Sequence, residues 1–198
     1  MFFNNNFSKK LNRIPIKHMF MNKSRCSWVT SDEIYIRYHD DEWGVPTHDD
    51  KELFEMLVLE SFQAGLSWIT ILKKRENFKK AFDDFDVDKV SDYDDEKIEE
   101  LRNDAGIVRH NGKIDAAINN AKIFKEIQKE FESFDKYIWG FTDNKVIKAE
   151  FLTESELSKT FSKDLKKRGM KFVGPTIIYS YLESVGIIDN HEKECYKY

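Results

Sequence analysis

Apolar residues in this chain recur mostly at three- and four-residue intervals and rarely at every second position. That spacing marks helix faces, whereas a half-buried strand would alternate. Leu53, Phe54, Met56 and Leu57 predict a helix running to about Phe62, with Asp49 or Asp50 as its N-cap and Glu60 late on its apolar face. Gly65 interrupts the pattern. Ser67 then caps a second helix carrying Trp68, Ile71, Leu72, Arg75, Phe78 and Phe82. A third is predicted near residues 94–104, with Ile98 and Leu101 inward. Ile114, Ala117, Ile118, Ala121, Phe124 and Ile127 form the stripe of a fourth. Two more fall around residues 155–168 and 176–185, and residues 145–151 are the one short strand candidate. The pattern predicts an all-α fold.

Composition supports a well-filled core. The chain has 198 residues, 40% of them apolar, with 16 Phe, 8 Tyr and 4 Trp. That length fits one large domain or two small ones. Three prolines, eight glycines and no repeats favour one continuous domain over residues 24–198. Residues 1–23 differ: they are basic and contain no acid. Such a segment reads as an organellar presequence or as a disordered extension. The net charge of −4 means that any nucleic-acid contact must use a local basic surface. No apolar run approaches the roughly 20 residues of a membrane span. Two cysteines in this length argue against a secreted disulfide scaffold. The expectation is a monomer in a reducing compartment, cytoplasm or nucleoid in a bacterium, nucleus or organelle in a eukaryote, and not secreted.

Those two cysteines are each paired with a histidine, at opposite ends of the chain. Twelve residues separate Cys26 from His39, and three separate His191 from Cys195. Two thiolates and two imidazoles suit Zn2+ better than a hard, oxygen-seeking cation. On a helical turn, His191 and Cys195 would share one face. Four protein ligands would leave no open position, so the ion would be structural, one per chain. Two other readings stand beside this one: ordinary buried thiols, and a Cys26–Cys195 disulfide. His18, His48 and His110 show that histidine also occurs outside the pairs.

The stretch from Leu165 to Thr176 is the second candidate for chemistry. A helix ends at Gly169, a tight turn carries Phe172, Val173 and Gly174, and Pro175 and Thr176 open the next helix. This looks like a helix–hairpin–helix, whose amides and second-helix N-terminus face a phosphate. Lys166, Lys167, Arg168 and Lys171 supply positive charge locally. The alternative is an ordinary helix pair with a solvated basic end.

Residues 24 to about 195 resemble the DNA-3-methyladenine glycosylase I family, of the helix–hairpin–helix glycosylase superfamily. The resemblance rests on Tyr38-His-Asp-Asp-Glu-Trp-Gly-Val-Pro46, Leu59-Glu-Ser-Phe-Gln-Ala-Gly-Leu-Ser-Trp68, Leu72-Lys-Lys-Arg-Glu76, Asp104-Ala-Gly-Ile, Lys166-Lys-Arg-Gly and Lys171-Phe-Val-Gly-Pro-Thr176. It implies a structural zinc on Cys26, His39, His191 and Cys195. It also implies hydrolysis of the N-glycosidic bond of 3-methyladenine in double-stranded DNA, leaving an abasic site. Glu60 would contact the excised base, Tyr38 and Trp68 would stack on it or border it, and Leu66 would enter the DNA. The hairpin places Lys171, Gly174 and Thr176 on the backbone. Trp28 and Trp43 join the pocket only by proximity in sequence. Asp189 is a possible electrostatic helper, though more readily a capping residue. Lys113 and Lys171 are the nearest candidates for a Schiff-base nucleophile, and nothing in the sequence marks either as desolvated. Two competing functions remain: a DNA-binding module without catalysis, and an unrelated zinc-stapled enzyme for a small cationic or purine-like molecule.

Overall fold

The computed structural model describes residues 23–149 and 152–198. In chain order it contains α1 (Glu33–Arg37), a π-helical turn (Tyr38–Glu42), α2 (Asp50–Gln63), α3 (Trp68–Ala81), a 3-10 turn (Asp83–Phe85) and α4 (Val87–Ser91). There follow α5 (Asp95–Asn103), α6 (Asn111–Phe131), α7 (Phe134–Gly140), β1 (Ile147–Lys148), α8 (Glu156–Lys167), α9 (Pro175–Ser184) and β2 (Ile188–Asp189). The extension expected over residues 1–23 lies, except for Lys23, outside the described residues.

α2 is the axis of the molecule. Every residue from Leu53 to Phe62 is buried, because α3, α6, α7 and α9 all pack around it. Its start is set as the sequence predicts: the Asp49 carboxylate accepts from the Lys51 and Glu52 amides. Asp94 caps α5 in the same way, and Ser155 and Ser158 form a capping box on α8. Ser67 does occupy the N-cap of α3, but its hydroxyl pairs with the Thr70 hydroxyl at 2.7 Å and caps no amide.

The short helices α1, α4 and α7 were not visible in the periodicity. One or two turns carry too few apolar positions to repeat, and such helices depend on packing for stability. α7 is the example: Phe134, Tyr137, Ile138 and Trp139 are all buried against the bundle. The strand candidate does form a ladder, but a minimal one. Ile147 and Lys148 pair in parallel with Ile188 and Asp189, while residues 150–151 lie outside the described residues. Apart from that ladder the architecture is all-α. No helix among the described residues is long and apolar enough to cross a membrane.

Candidate active site and cysteine–histidine clasp

The end of α2, the start of α3, the π-helical turn and one face of α9 enclose a cavity of about 280 Å³. Its walls include Trp28, Tyr35, Tyr38, Trp43 and Trp68, and two acids, Glu60 and Glu183, open into it. The Tyr38 and Trp68 rings lie 5.3 Å apart at 55°, forming one corner. Glu60, Tyr38 and Trp68, nominated separately along the chain, therefore meet at one place.

Glu60 is only 4% exposed, and among the described residues no protein donor reaches its carboxylate. Burial, and then the nearby Glu183, push its carboxyl up to about 8. Glu183 is pushed up to about 7 by burial, opposed by a hydrogen bond from Asn190 Nδ2 at 2.6 Å. Burial and the Glu60 charge hold the Tyr38 hydroxyl far above its ordinary value, so it stays a donor. An unpaired carboxylate in an apolar hole is unfavourable unless a cation or strong donors arrive. Glu55, on the same helix, shows the satisfied arrangement: Arg75 Nε reaches it at 2.7 Å.

The π-helical turn lets consecutive residues serve two places. Its widened register, with Trp43 N donating to Tyr38 O at 2.8 Å, points Tyr38 into the cavity and buries His39 beside the two cysteines. The ligand atoms of Cys26, His39 and Cys195 all lie within 4.8 Å of one another. The His191 ring is 5.4 Å from that of His39, and its Nε2 is buried with no hydrogen-bond partner. Both histidines are oriented by carboxylates, His39 Nδ1 by Asp40 at 2.9 Å and His191 Nδ1 by Asp189 at 2.8 Å, which turns each Nε2 inward, that of His39 to within 3.4 Å of Cys195 Sγ. Burial lowers the affinity of His39 for a proton. Both sulfurs accept backbone amides, Cys26 from Glu192 and Cys195 from Lys197, each at 3.5 Å. Burial pushes the Cys26 thiol up to about 12, so a thiolate there needs a cation beside it.

Cys26 and Cys195 are free thiols, so the disulfide reading does not hold. The expected helical turn at His191–Cys195 does not form either. A tight turn, closed by Cys195 N to Glu192 O at 2.8 Å, brings the pair together instead. Gly44 makes room for it: at φ +74° it sits so close that a Cβ would meet His191 Cε1 at 2.7 Å. Trp43 links clasp and cavity, because its ring lies 4.7 Å from His191 while also lining the cavity.

α8 ends and α9 begins where the sequence predicts. Gly169, at φ +99°, ends α8 in a Schellman turn, with its own amide on Lys166 O and that of Met170 on Leu165 O, each at 3.0 Å. Asn120 clamps Lys171 through both backbone groups at 2.9 Å, leaving the lysine side chain exposed. Pro175 is N1 of α9, Gly174 is its N-cap with no side-chain cap, and Thr176 is exposed at the cavity mouth. Leu66, in the loop between α2 and α3, is 38% exposed and so is not core.

Two expectations need correction. Arg168 is not free charge for a ligand, since it pairs with Glu130 at 2.6 Å and Asp164 at 2.8 Å and lies over Phe131 and Tyr137. Lys113 is in fact buried and its affinity for a proton is lowered by burial. Its ammonium is consumed by Phe62 O at 2.9 Å and Ala64 O at 2.6 Å, where it closes the C-terminus of α2. Asp189 is the capping residue that the sequence favours: it does not line the cavity, accepts from the His191 amide at 3.2 Å, holds the His191 ring and pairs with Lys148 at 3.1 Å. The residue that sequence reasoning missed is Glu183. Its signal matches that of Glu60, an acid inside an apolar helical run, here between Leu182 and Val185.

The model of the methyladenine glycosylase family matches residues 28–198. DNA-3-methyladenine glycosylase 1 of Escherichia coli (strain K12) is 48% identical over 177 residues, covering 86% of this chain and 95% of its own length. A crystal structure of 3-methyladenine DNA glycosylase I superposes with a TM-score of 0.84 at 44% identity, covering 87% of this chain and 98% of the other. The Staphylococcus aureus enzyme, studied for the structural basis of its 3-methyladenine recognition, gives a TM-score of 0.84 at 39% identity, with 87% and 95% covered.

Proposed function

The chain belongs to the methyladenine glycosylase family, and we propose that it is a monofunctional DNA repair glycosylase that releases 3-methyladenine from alkylated duplex DNA by hydrolysis. One observation carries the chemistry: Glu60 is a buried acid that faces an aromatic cavity, with no protein donor among the described residues. An N3-methylated adenine nucleotide is cationic and carries an exocyclic amine, so it supplies both the charge and the donor that this carboxylate lacks.

The reaction needs the base outside the stack. In the cavity, Tyr38 and Trp68 take its faces and edge, and aromatic rings favour a flat cation over a neutral ring of the same shape. Glu60 accepts from the amine and anchors the purine while the sugar bond breaks. The methylated purine is a good leaving group, so holding the extruded base in place is most of what the protein must contribute. Among the described residues no lysine lines the cavity, and the Lys113 ammonium is already held by two carbonyls. Water is therefore the nucleophile, and an abasic site remains. An inactive binding module is disfavoured, since Glu60, Tyr38 and Trp68 all line the one cavity.

On the DNA side, Leu66 fills the gap left by the extruded base. The uncapped start of α9, at Gly174 and Thr176, receives a phosphate, and Lys171 adds charge beside it. Cys26, His39, His191 and Cys195 hold one Zn2+ per chain. The orphaned His191 Nε2, the two carboxylate-oriented imidazoles and the amide-bonded sulfurs all fit that ion. With four protein ligands the zinc supplies no chemistry; it fastens the two ends of the domain behind Trp43.

The test is to incubate zinc-replete protein with alkylated duplex DNA and chromatograph the released bases. Free 3-methyladenine, with no strand cleavage before alkali, is the expected result. Absence of that base would overturn the proposal.

A further inference from the structure

α9 presents Thr176, Tyr179, Ser180 and Glu183 to the cavity, positions that share one helical face. Seven residues of helix rise about 10 Å, so Thr176 stands at the exposed mouth and Glu183 lies two turns from it. Asn190 Nδ2 donates to Glu183 Oε1 at 2.6 Å, and Asn190 is itself buried directly after β2. This amide fixes the carboxylate without neutralising it. The cavity lining holds two acids, Glu60 and Glu183, and no lysine or arginine. A purely structural acid would be paired, as Glu55 is with Arg75. Ionising both acids in one dry site is unfavourable, and a cationic ligand is what makes their charged forms tolerable.

We propose that Glu183 is a second specificity-determining residue, which acts with Glu60 to make the cavity select a positively charged purine over a neutral purine of nearly the same shape. The inference rests on the reading that this cavity takes the extruded base. Its logic is discrimination. Undamaged adenine differs from the lesion by one methyl group, and a hydrophobic pocket gains only about 10–200-fold from such a difference. A neutral base carries no charge to offset ionisation of either acid, whereas the cation favours the ionised form of each.

The experiment measures binding of two probes by quenching of the cavity tryptophans. One is 3,9-dimethyladeninium, which carries a fixed positive charge; the other is neutral 9-methyladenine. Glu183→Gln is expected to weaken the cation at least tenfold and to change the neutral purine less than twofold, which also shows that the fold is intact. Glu183→Asp, which keeps the charge, is expected to retain the preference within threefold. If Glu183→Gln keeps the wild-type ratio while wild type releases 3-methyladenine, the role of Glu183 is overturned and the glycosylase reading stands. If Gln and Asp lose the preference equally, Glu183 acts through packing and the inference fails. A wild type that neither prefers the cation nor releases 3-methyladenine overturns the glycosylase reading itself.

Discussion

The clasp and the cavity lie on either side of Trp43, yet they treat buried polar atoms in opposite ways. In the clasp every donor atom is held from behind: Asp40 and Asp189 fix the two imidazoles, and backbone amides fix the two sulfurs. In the cavity Glu60 has no protein donor, and Glu183 has one. The first arrangement suits a permanent ion, because oriented ligands lose little entropy when they bind. The second suits a passing cation, because an unsatisfied carboxylate is relieved only while the ligand is present. Stability is concentrated in one site and given up in the other.

Stripping the proposed zinc should produce the largest change. Chelation, or Cys26→Ser, is expected to lower Tm by about 10 °C or more, since a folded-state ligand worth several kcal/mol is lost. Metal analysis of reduced protein alongside the melt checks this. About one zinc per chain is expected, and unaltered melting after complete stripping would equate clasp with ordinary core.

The cavity should respond in the reverse sense. Glu60→Gln is expected to slow 3-methyladenine release at least ~100-fold, the scale for loss of one preorganised electrostatic contact. The same variant should be more stable than wild type. Glu60 is raised in the fold to about 8 from 4.5, so its favourable contribution is complete below pH 4.5 and is lost as pH rises toward 8. The stability advantage of Glu60→Gln should therefore grow by roughly 2 kcal/mol between pH 5 and 7. Denaturant melts across that range measure it, and a flat difference would mean that Glu60 is not buried as an acid.

The smallest effect separates the basic residues of the hairpin. Lys171→Ala should reduce the slope of log affinity for DNA against log salt by about 1. Arg168→Ala should leave that slope unchanged and reduce stability by about 1 kcal/mol, because Arg168 is already ion-paired at a partly exposed site. Equal salt slopes for the two variants would erase the distinction.

Much of this site was legible in the chain because its signals are local. Glu60 stands out as an acid on an apolar face, Gly169 and Pro175 punctuate two helices, and the cysteine–histidine pairs hold both cysteines of the chain. The short helices escaped notice because one turn has no period to read. The ion pair of Arg168 and the burial of Lys113 are hidden from the sequence for another reason. A basic residue looks available until its partner is known, and Glu130 and Phe62 lie 38 and 51 residues away.

The chain alone determined the helical class, the order of the longer helices and the caps at Asp49, Asp94 and Ser155, since each depends on neighbours within a turn or two. The tertiary structure decided which of those residues face one another. It set Glu183 in the same cavity as Glu60, turned Asp189 to His191 and away from that cavity, and used a π-helical turn to send Tyr38 and His39 to different sites. Such choices depend on long-range packing and on the burial of charge, and neither has a periodicity that a sequence can display.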